Sequence, residues 1–496
     1  MRYAFQFKIN CKGGIISPGF LLNVLDVLEK ASIEHIRFGL RQQILIDASI
    51  KQYHKLCDLF QNHQIDYEIN TEKYPNIVSS YAAENIFVSE NWLKEGVYKD
   101  ILDEIDYSPT LKINFSDNDQ CFTPFFSGHI NWIASTNQHF WHLNIRFPKT
   151  NFVFQWPQLI YTNNVANMCK WIENSILENL NKPSFFKNGE NIYKEISTTK
   201  SYIQKPIEIP LKLPTFNLPY YEGFNSYGNK TWLGIYRRDE LFVIKFLKEI
   251  ALTCLHTKIG QLYTTPWKSL IVKNIEKKDR IIWDTILGKY RINVRHAANE
   301  LNWQIEDDTE DGLHLKRYLI REFDKQDVRT YGLCFAIKTK ENSNLYGSVL
   351  IERNKPISLN KTKQTDNYTI YYTENFNPNN KNYIVYRENV AKEHIHVYLI
   401  SLCKYFYETM YLKNDTIDSY AEQVNFLKEN LQKKEFVYQC KDCLSIYDEQ
   451  LGDTERNIAP ATSFSNLPSE YCCATCEAPL SNFQSIPKDL LFATNI

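Results

Sequence analysis

Two cysteine pairs, Cys440-Lys441-Asp442-Cys443 and Cys473-Ala474-Thr475-Cys476, stand 29 residues apart near the end of a 496-residue chain. Two residues between cysteines let both thiolates of one turn point at a single metal, and a second such turn completes a tetrahedron. Four thiolates favour zinc or iron over harder ions. Several other cysteines (Cys57, Cys169, Cys254, Cys334, Cys403) lie singly in apolar segments and read as buried thiols of a reduced compartment. That usage places the chain in the cytoplasm.

The elements that must hold the pairs are short. Tyr438, Tyr447, Phe464, Tyr471 and Phe483 surround them, with Gly452-Asp453 and Ile458–Pro468 in the intervening loop. A segment of this size has too little core to fold securely alone, and a four-thiolate metal supplies the missing constraint. Over about Glu435–Pro487 the pattern resembles rubredoxin, in the spacing of the pairs, the aromatic positions, Tyr447-Asp448, Leu467-Pro468 and Ala478-Pro479. The resemblance implies one iron held by Cys440, Cys443, Cys473 and Cys476 and cycling between ferric and ferrous. Cys472 breaks the two-residue spacing and falls where that family packs an apolar residue. The family's glycine after each pair is replaced by Leu444 and Glu477, at places where the backbone tends to positive φ. Glu477 also sets a carboxylate beside the centre, which favours the oxidised state. Structural zinc is the alternative.

Ahead of this tail lie some 430 residues, enough for further domains. A hydrophobic fraction of 43% is that of a globular chain, and the near balance of acids and bases, net −1, argues against a nucleic-acid surface spread over the whole protein, leaving room only for a local patch. No run of about 18 apolar residues suggests a membrane span, and neither a P-loop nor G-x-G-x-x-G is present. Ile33–Ile46 overlays Ile259–Val272 at a separation of about 226 residues, each stretch following an amphipathic helix. An α-β-β-α unit therefore occurs twice. Acidic pairs such as Asp103-Glu104 and Asp307-Asp308 read as solvated faces. Residues 431–487 carry eight acids and four bases, net −4, leaving +3 on the rest; an acidic carrier could dock on that body or on another basic partner.

Three pieces of the body carry a second resemblance: Ile36–Gln42, Tyr263–Leu270, and Leu111–Ser116 followed by His129–Ile133. They look like the sirohaem-dependent nitrite and sulfite reductases over about Ile15–Glu352, the third as the strand and turn closing the first sirohaem module. That resemblance implies a pocket for anions or a cofactor's carboxylates formed by Arg37, Arg41, Lys112 and Lys268, since guanidinium groups grip oxyanions in pairs of hydrogen bonds. It also implies four cluster cysteines, which this sequence lacks. Val294–Trp303 sets His296 and Asn302 where cysteines are expected, and Cys334 stands alone. No conventional [4Fe-4S] cluster is expected. His296 is either an axial haem ligand or an ordinary helix-start histidine.

The expected fold is α+β: duplicated ferredoxin-like half domains with sirohaem-reductase-like modules, plus a small rubredoxin domain. The expected divisions are 1–225 and 226–412 for the two reductase-like halves, 413–434 for a helical connector and 435–490 for the iron domain. The favoured function is single-electron transfer between an upstream reductase and a downstream oxidoreductase in nitrate/nitrite or sulfite reduction. The alternatives are a reductase-like enzyme that keeps sirohaem or another tetrapyrrole and uses the iron domain as its donor, and a scaffold holding structural zinc.

Overall fold

The computed structural model describes residues 5–88, 92–119, 122–123, 127–148, 150, 152–180, 182, 189–294, 298–341, 343, 345–354, 367–380, 382–414 and 436–488. Its contacts divide it into two compact units, Met1–Lys404 and Tyr405–Ile496. The connector expected over 413–434 lies, beyond Asn414, outside the described residues, and so does His296.

In the first unit the internal repeat is kept residue by residue. Helices Pro18–Lys30 and Ile244–His256 are offset by 226 positions at both ends. The strand pairs that follow, His35–Phe38 with Ile44–Ala48 and Leu262–Thr264 with Leu270–Glu276, are each antiparallel. Their turns share one hydrogen-bond pattern. Gly39 N to Gln43 O and Gln42 N to Gly39 O are matched by Thr265 N to Ser269 O and Lys268 N to Thr265 O. Gln42 and Lys268 both take left-handed backbone, φ 63° and 54°. Ser17 starts the first helix by accepting from Phe20 N at 3.2 Å, with Pro18 at the first helical position.

Each repeat completes the other's sheet. Phe242–Val243 pairs with His35–Phe38 in register Phe242↔Ile36, and Ile15–Ile16 pairs with Leu262–Thr264 in register Leu262↔Ile16. The apolar faces of the two sheets and their helices form one core, including Phe7, Leu25, Phe38, Leu247, Leu262 and Trp283. Two further sheets repeat a second topology. Val78–Ser79, Ile113–Ser116 and Ile130–Ala134 run parallel, then Phe140–Arg146 turns antiparallel. Trp303–Ile305, Phe335–Lys338 and Val349–Arg353 are parallel in the same way, followed by antiparallel Asn367–Thr373. Strands Ile113–Ser116 and Trp303–Ile305 are buried along their length, polar Asn114, Ser116 and Gln304 included. Ile113–Ser116 and Ile130–Ala134 are thus parallel neighbours rather than a strand and its returning turn. No helix among the described residues is long and apolar enough to cross a membrane.

In the second unit a three-stranded sheet sets Phe436–Cys440 between Ile446–Tyr447 and Phe483–Pro487. Its core is aromatic: Tyr438 stacks on Phe464 at 3.9 Å and 9°, and Tyr447 and Tyr471 pack at 5.7 Å. The hydroxyls of the buried tyrosines are partnered, Tyr447 with Thr462 O at 2.8 Å and Tyr471 with Asp453 Oδ2 at 2.7 Å. Gly452 has φ 68°, and a Cβ there would lie 2.6 Å from the carbonyl oxygens of Ile458 and Ala459, so the loop closes only with glycine.

Candidate metal centre

The strand Phe436–Cys440 delivers the first thiol, and the short turn after it brings back the second. Leu444 N donates to Cys440 O at 3.0 Å and Cys440 N to Ser445 O at 2.8 Å. The second turn repeats this with Glu477 N to Cys473 O at 2.9 Å and Cys473 N to Ala478 O at 2.8 Å. Two identical turns facing one another gather the sulfurs of Cys440, Cys443, Cys473 and Cys476 within 4.8 Å of one another. Across the site Cys440 and Cys476 lie at 3.6 Å and Cys443 and Cys473 at 3.4 Å. A tetrahedron with metal–sulfur bonds of about 2.3 Å has edges of about 3.8 Å, so the donor set fits one iron with little movement. Each turn gives one buried thiol, Cys440 or Cys473, and one nearer the surface, Cys443 or Cys476. Hydrogen bonds from the Ser445 hydroxyl and backbone hold the Cys443 thiol down at about 6, which favours the thiolate a metal needs.

Both turns keep the left-handed conformation that the missing glycines pointed to, with φ 63° at Leu444 and 60° at Glu477. Leu444 is 62% exposed, and the Glu477 side chain lies 4.0 Å from Arg456.

The body holds a cavity of about 1030 Å³ between its two halves. Arg37, Arg41 and Lys112 stand on its wall, as does Asp307, while Lys268 lies behind it. Arg37 makes two 2.8 Å bonds to Asp47 and also donates to Asp307 O. Arg41 is spent on Asn76 O at 2.6 Å, Ile113 O at 3.1 Å and Asn114 Oδ1, and burial pushes it down to about 10. Lys112 meets Glu72 at 3.3 Å. Burial would raise Glu72, but Lys112 and Lys8 outweigh it and hold it below the usual carboxylate range. Among the described residues of the wall, eight carboxylates face six lysine and arginine side chains.

Behind the wall runs a buried charge network that the sequence did not disclose. Lys268 Nζ sits 2.8 Å from Glu240 and 3.3 Å from Asp307, and Lys316 Nζ is 2.6 Å from Tyr236 OH and 3.9 Å from Glu240. Asp307 is therefore no solvated face. Its carboxylate also accepts from Leu40 N at 3.1 Å, and a Cβ on Gly39 would lie 2.9 Å from it. The available signal was Lys268 itself, a lone charge between Trp267 and the apolar run Leu270-Ile271-Val272. Asp103 and Glu104 are exposed as expected. Asn302 is buried and gives its amide to Thr330 and Leu333 O. Burial pushes the Cys334 thiol up to about 12, beside Ser348.

Comparison with known proteins agrees with this geometry. The Rubredoxin family model matches residues 437–483. The probable rubredoxin HupI of Bradyrhizobium diazoefficiens is 44% identical over 48 residues, 10% of this chain and 70% of that protein. The high molecular weight rubredoxin of Moorella thermoacetica is 43% identical over 49 residues, 10% of this chain but only 21% of that one. The solved structure of the Mycobacterium tuberculosis NirA protein aligns over 80% of each chain with a TM-score of 0.58 and 12% identity, a likeness of fold alone. The chain thus joins a NirA-like body to a four-cysteine, one-iron module, and through residues 437–483 it belongs to the rubredoxin family.

Proposed function

We propose that the chain is a single-electron carrier, accepting from an upstream reductase and delivering to an oxidoreductase of nitrogen or sulfur oxyanion reduction. The observation that carries this reading is the cage of Cys440, Cys443, Cys473 and Cys476, with two of its sulfurs near the surface. Bound there, iron supplies a one-electron ferric/ferrous couple. The residues do the rest: backbone bonds across both turns hold the sulfurs in nearly the same place in either state, and the surface thiolates give a partner close approach. The pathway rests on the fold of the body. The tail's net −4 favours a basic partner surface, and such docking is salt-sensitive.

The reading in which the body keeps a tetrapyrrole is disfavoured by charge. Sirohaem is a polycarboxylate and needs free cations, whereas the lysines and arginines described on the cavity wall are already engaged. Lys8, Arg37, Lys112 and Arg317 pair with Glu68, Asp47, Glu72 and Asp239, and Lys340 pairs with Asp308. Arg41 is satisfied by carbonyl oxygens. This commitment of the described cations is why the tetrapyrrole reading stands second to the carrier.

The test is Cys443→Ser in the full chain. Loss of iron and of one-electron reduction, with the body's circular dichroism and thermal transition unchanged, supports the reading. Undiminished one-electron reduction in this variant sinks it.

A further inference from the structure

We infer that the Ser445 hydroxyl, aligned by Thr475, is a hydrogen-bond donor to the Cys443 sulfur that raises the reduction potential of the centre. The inference rests on the electron-carrier reading and adds two residues outside the ligand set. Left-handed Leu444 turns the chain back on itself, so that Ser445 lies beside the sulfur two residues earlier. Ser445 Oγ is 3.2 Å from Cys443 Sγ and 2.7 Å from Thr475 Oγ1. Thr475 belongs to the other turn, between Cys473 and Cys476, so the hydroxyl pair spans the two halves of the cage.

Proton count fixes the direction of both bonds once a metal is bound. A ligand thiolate carries no proton and can only accept, so the single Ser445 hydroxyl proton goes to Cys443 Sγ. Ser445 Oγ then accepts from Thr475. A chain of donors, Thr475 to Ser445 to sulfur, ends on the thiolate, and each bond polarises the next. Adding an electron makes the cage more negative by one charge and strengthens a charge-assisted bond to its sulfur. The bond therefore stabilises the reduced state more than the oxidised one, which raises the potential. It also opposes the effect of the Glu477 carboxylate. Thr475 acts through Ser445 and is a positioning residue.

The experiment is a spectroelectrochemical titration of the iron-loaded full chain and its variants. Ser445→Ala is expected to lower the midpoint by about 59 mV, a tenfold change in a one-electron equilibrium, and to shift the sulfur-to-iron absorption band. Thr475→Val should move the midpoint the same way by less, while Ser445→Thr and Thr475→Ser retain the wild-type value. Iron-loaded Ser445→Ala and Thr475→Val both titrating at the wild-type midpoint would overturn the inference and leave the carrier reading intact. Should Ser445→Ala fail to hold iron, Thr475→Val decides by the same criterion. A wild-type chain that takes up no iron overturns the carrier reading and this inference together.

Discussion

Replacing Leu444 and Glu477 by glycine should make the iron module more durable. Both residues hold left-handed backbone, φ 63° and 60°, which costs an L-residue with a Cβ about 1–2 kcal/mol. Glycine takes that conformation freely but gives back about 0.4–1 kcal/mol through a more flexible unfolded chain. The net gain is about 0.5–1 kcal/mol per site. Little packing is lost, because Leu444 is 62% exposed and the Glu477 side chain 82% exposed. The Glu477–Arg456 contact at 4.0 Å is an exposed pair and contributes almost nothing. Opening a turn to free a thiolate releases the strain, so its removal slows opening. The assay is the rate at which the iron-loaded full chain bleaches in guanidinium chloride. One to two kcal/mol corresponds to a factor of about 5–30, so each single variant should bleach about two- to fivefold more slowly and the double variant up to about thirtyfold. Leu444→Asn should fall between leucine and glycine, since asparagine tolerates this region better than leucine. Glycine variants that bleach as fast as the wild type, or faster, would refute the strain argument.

Two further outcomes follow from the body. Glu240→Gln leaves Lys268 and Lys316 buried without their shared carboxylate and should destabilise the body by about 3–5 kcal/mol; a thermal midpoint unchanged from wild type would contradict the buried network. His129 is held down at about 3 by burial and the positive charges of Arg146, Lys112 and Arg41, and His142 at about 4 by burial. Both folded values lie below the usual 6.5, so the unfolded chain binds more protons between the two, and stability falls as pH drops from about 6.5 towards 4. Replacing both with Gln should flatten that slope in thermal melts, and an unchanged slope would assign it to other groups.

How much of this was legible beforehand depended on how local the cause was. The two cysteine turns are short-range objects, and their spacing alone placed the sulfurs that the structure brings within 4.8 Å. The repeat was equally legible because a strand, its turn and the next strand keep their register through the chain, down to the matched φ of Gln42 and Lys268. The exchange of Ile15–Ile16 and Phe242–Val243 between the two sheets left no such trace. A two-residue edge strand gains its identity from a partner over 200 positions away. Charge was the hardest to read. Asp307 looks like any surface acid until Leu40, Arg37 and Lys268 close around it, and Glu240 sits in the polar string Arg237-Arg238-Asp239. Burial of an acid is decided by cations from distant elements, and no periodicity within its own segment records that.

The most direct test of the central claim is a metal analysis of the purified full chain joined to a stoichiometric reductive titration followed by its visible spectrum. The account expects one iron per chain, a red colour from thiolate-to-iron charge transfer, and reversible bleaching by one electron. A chain that holds zinc and stays colourless after reconstitution with iron would contradict it.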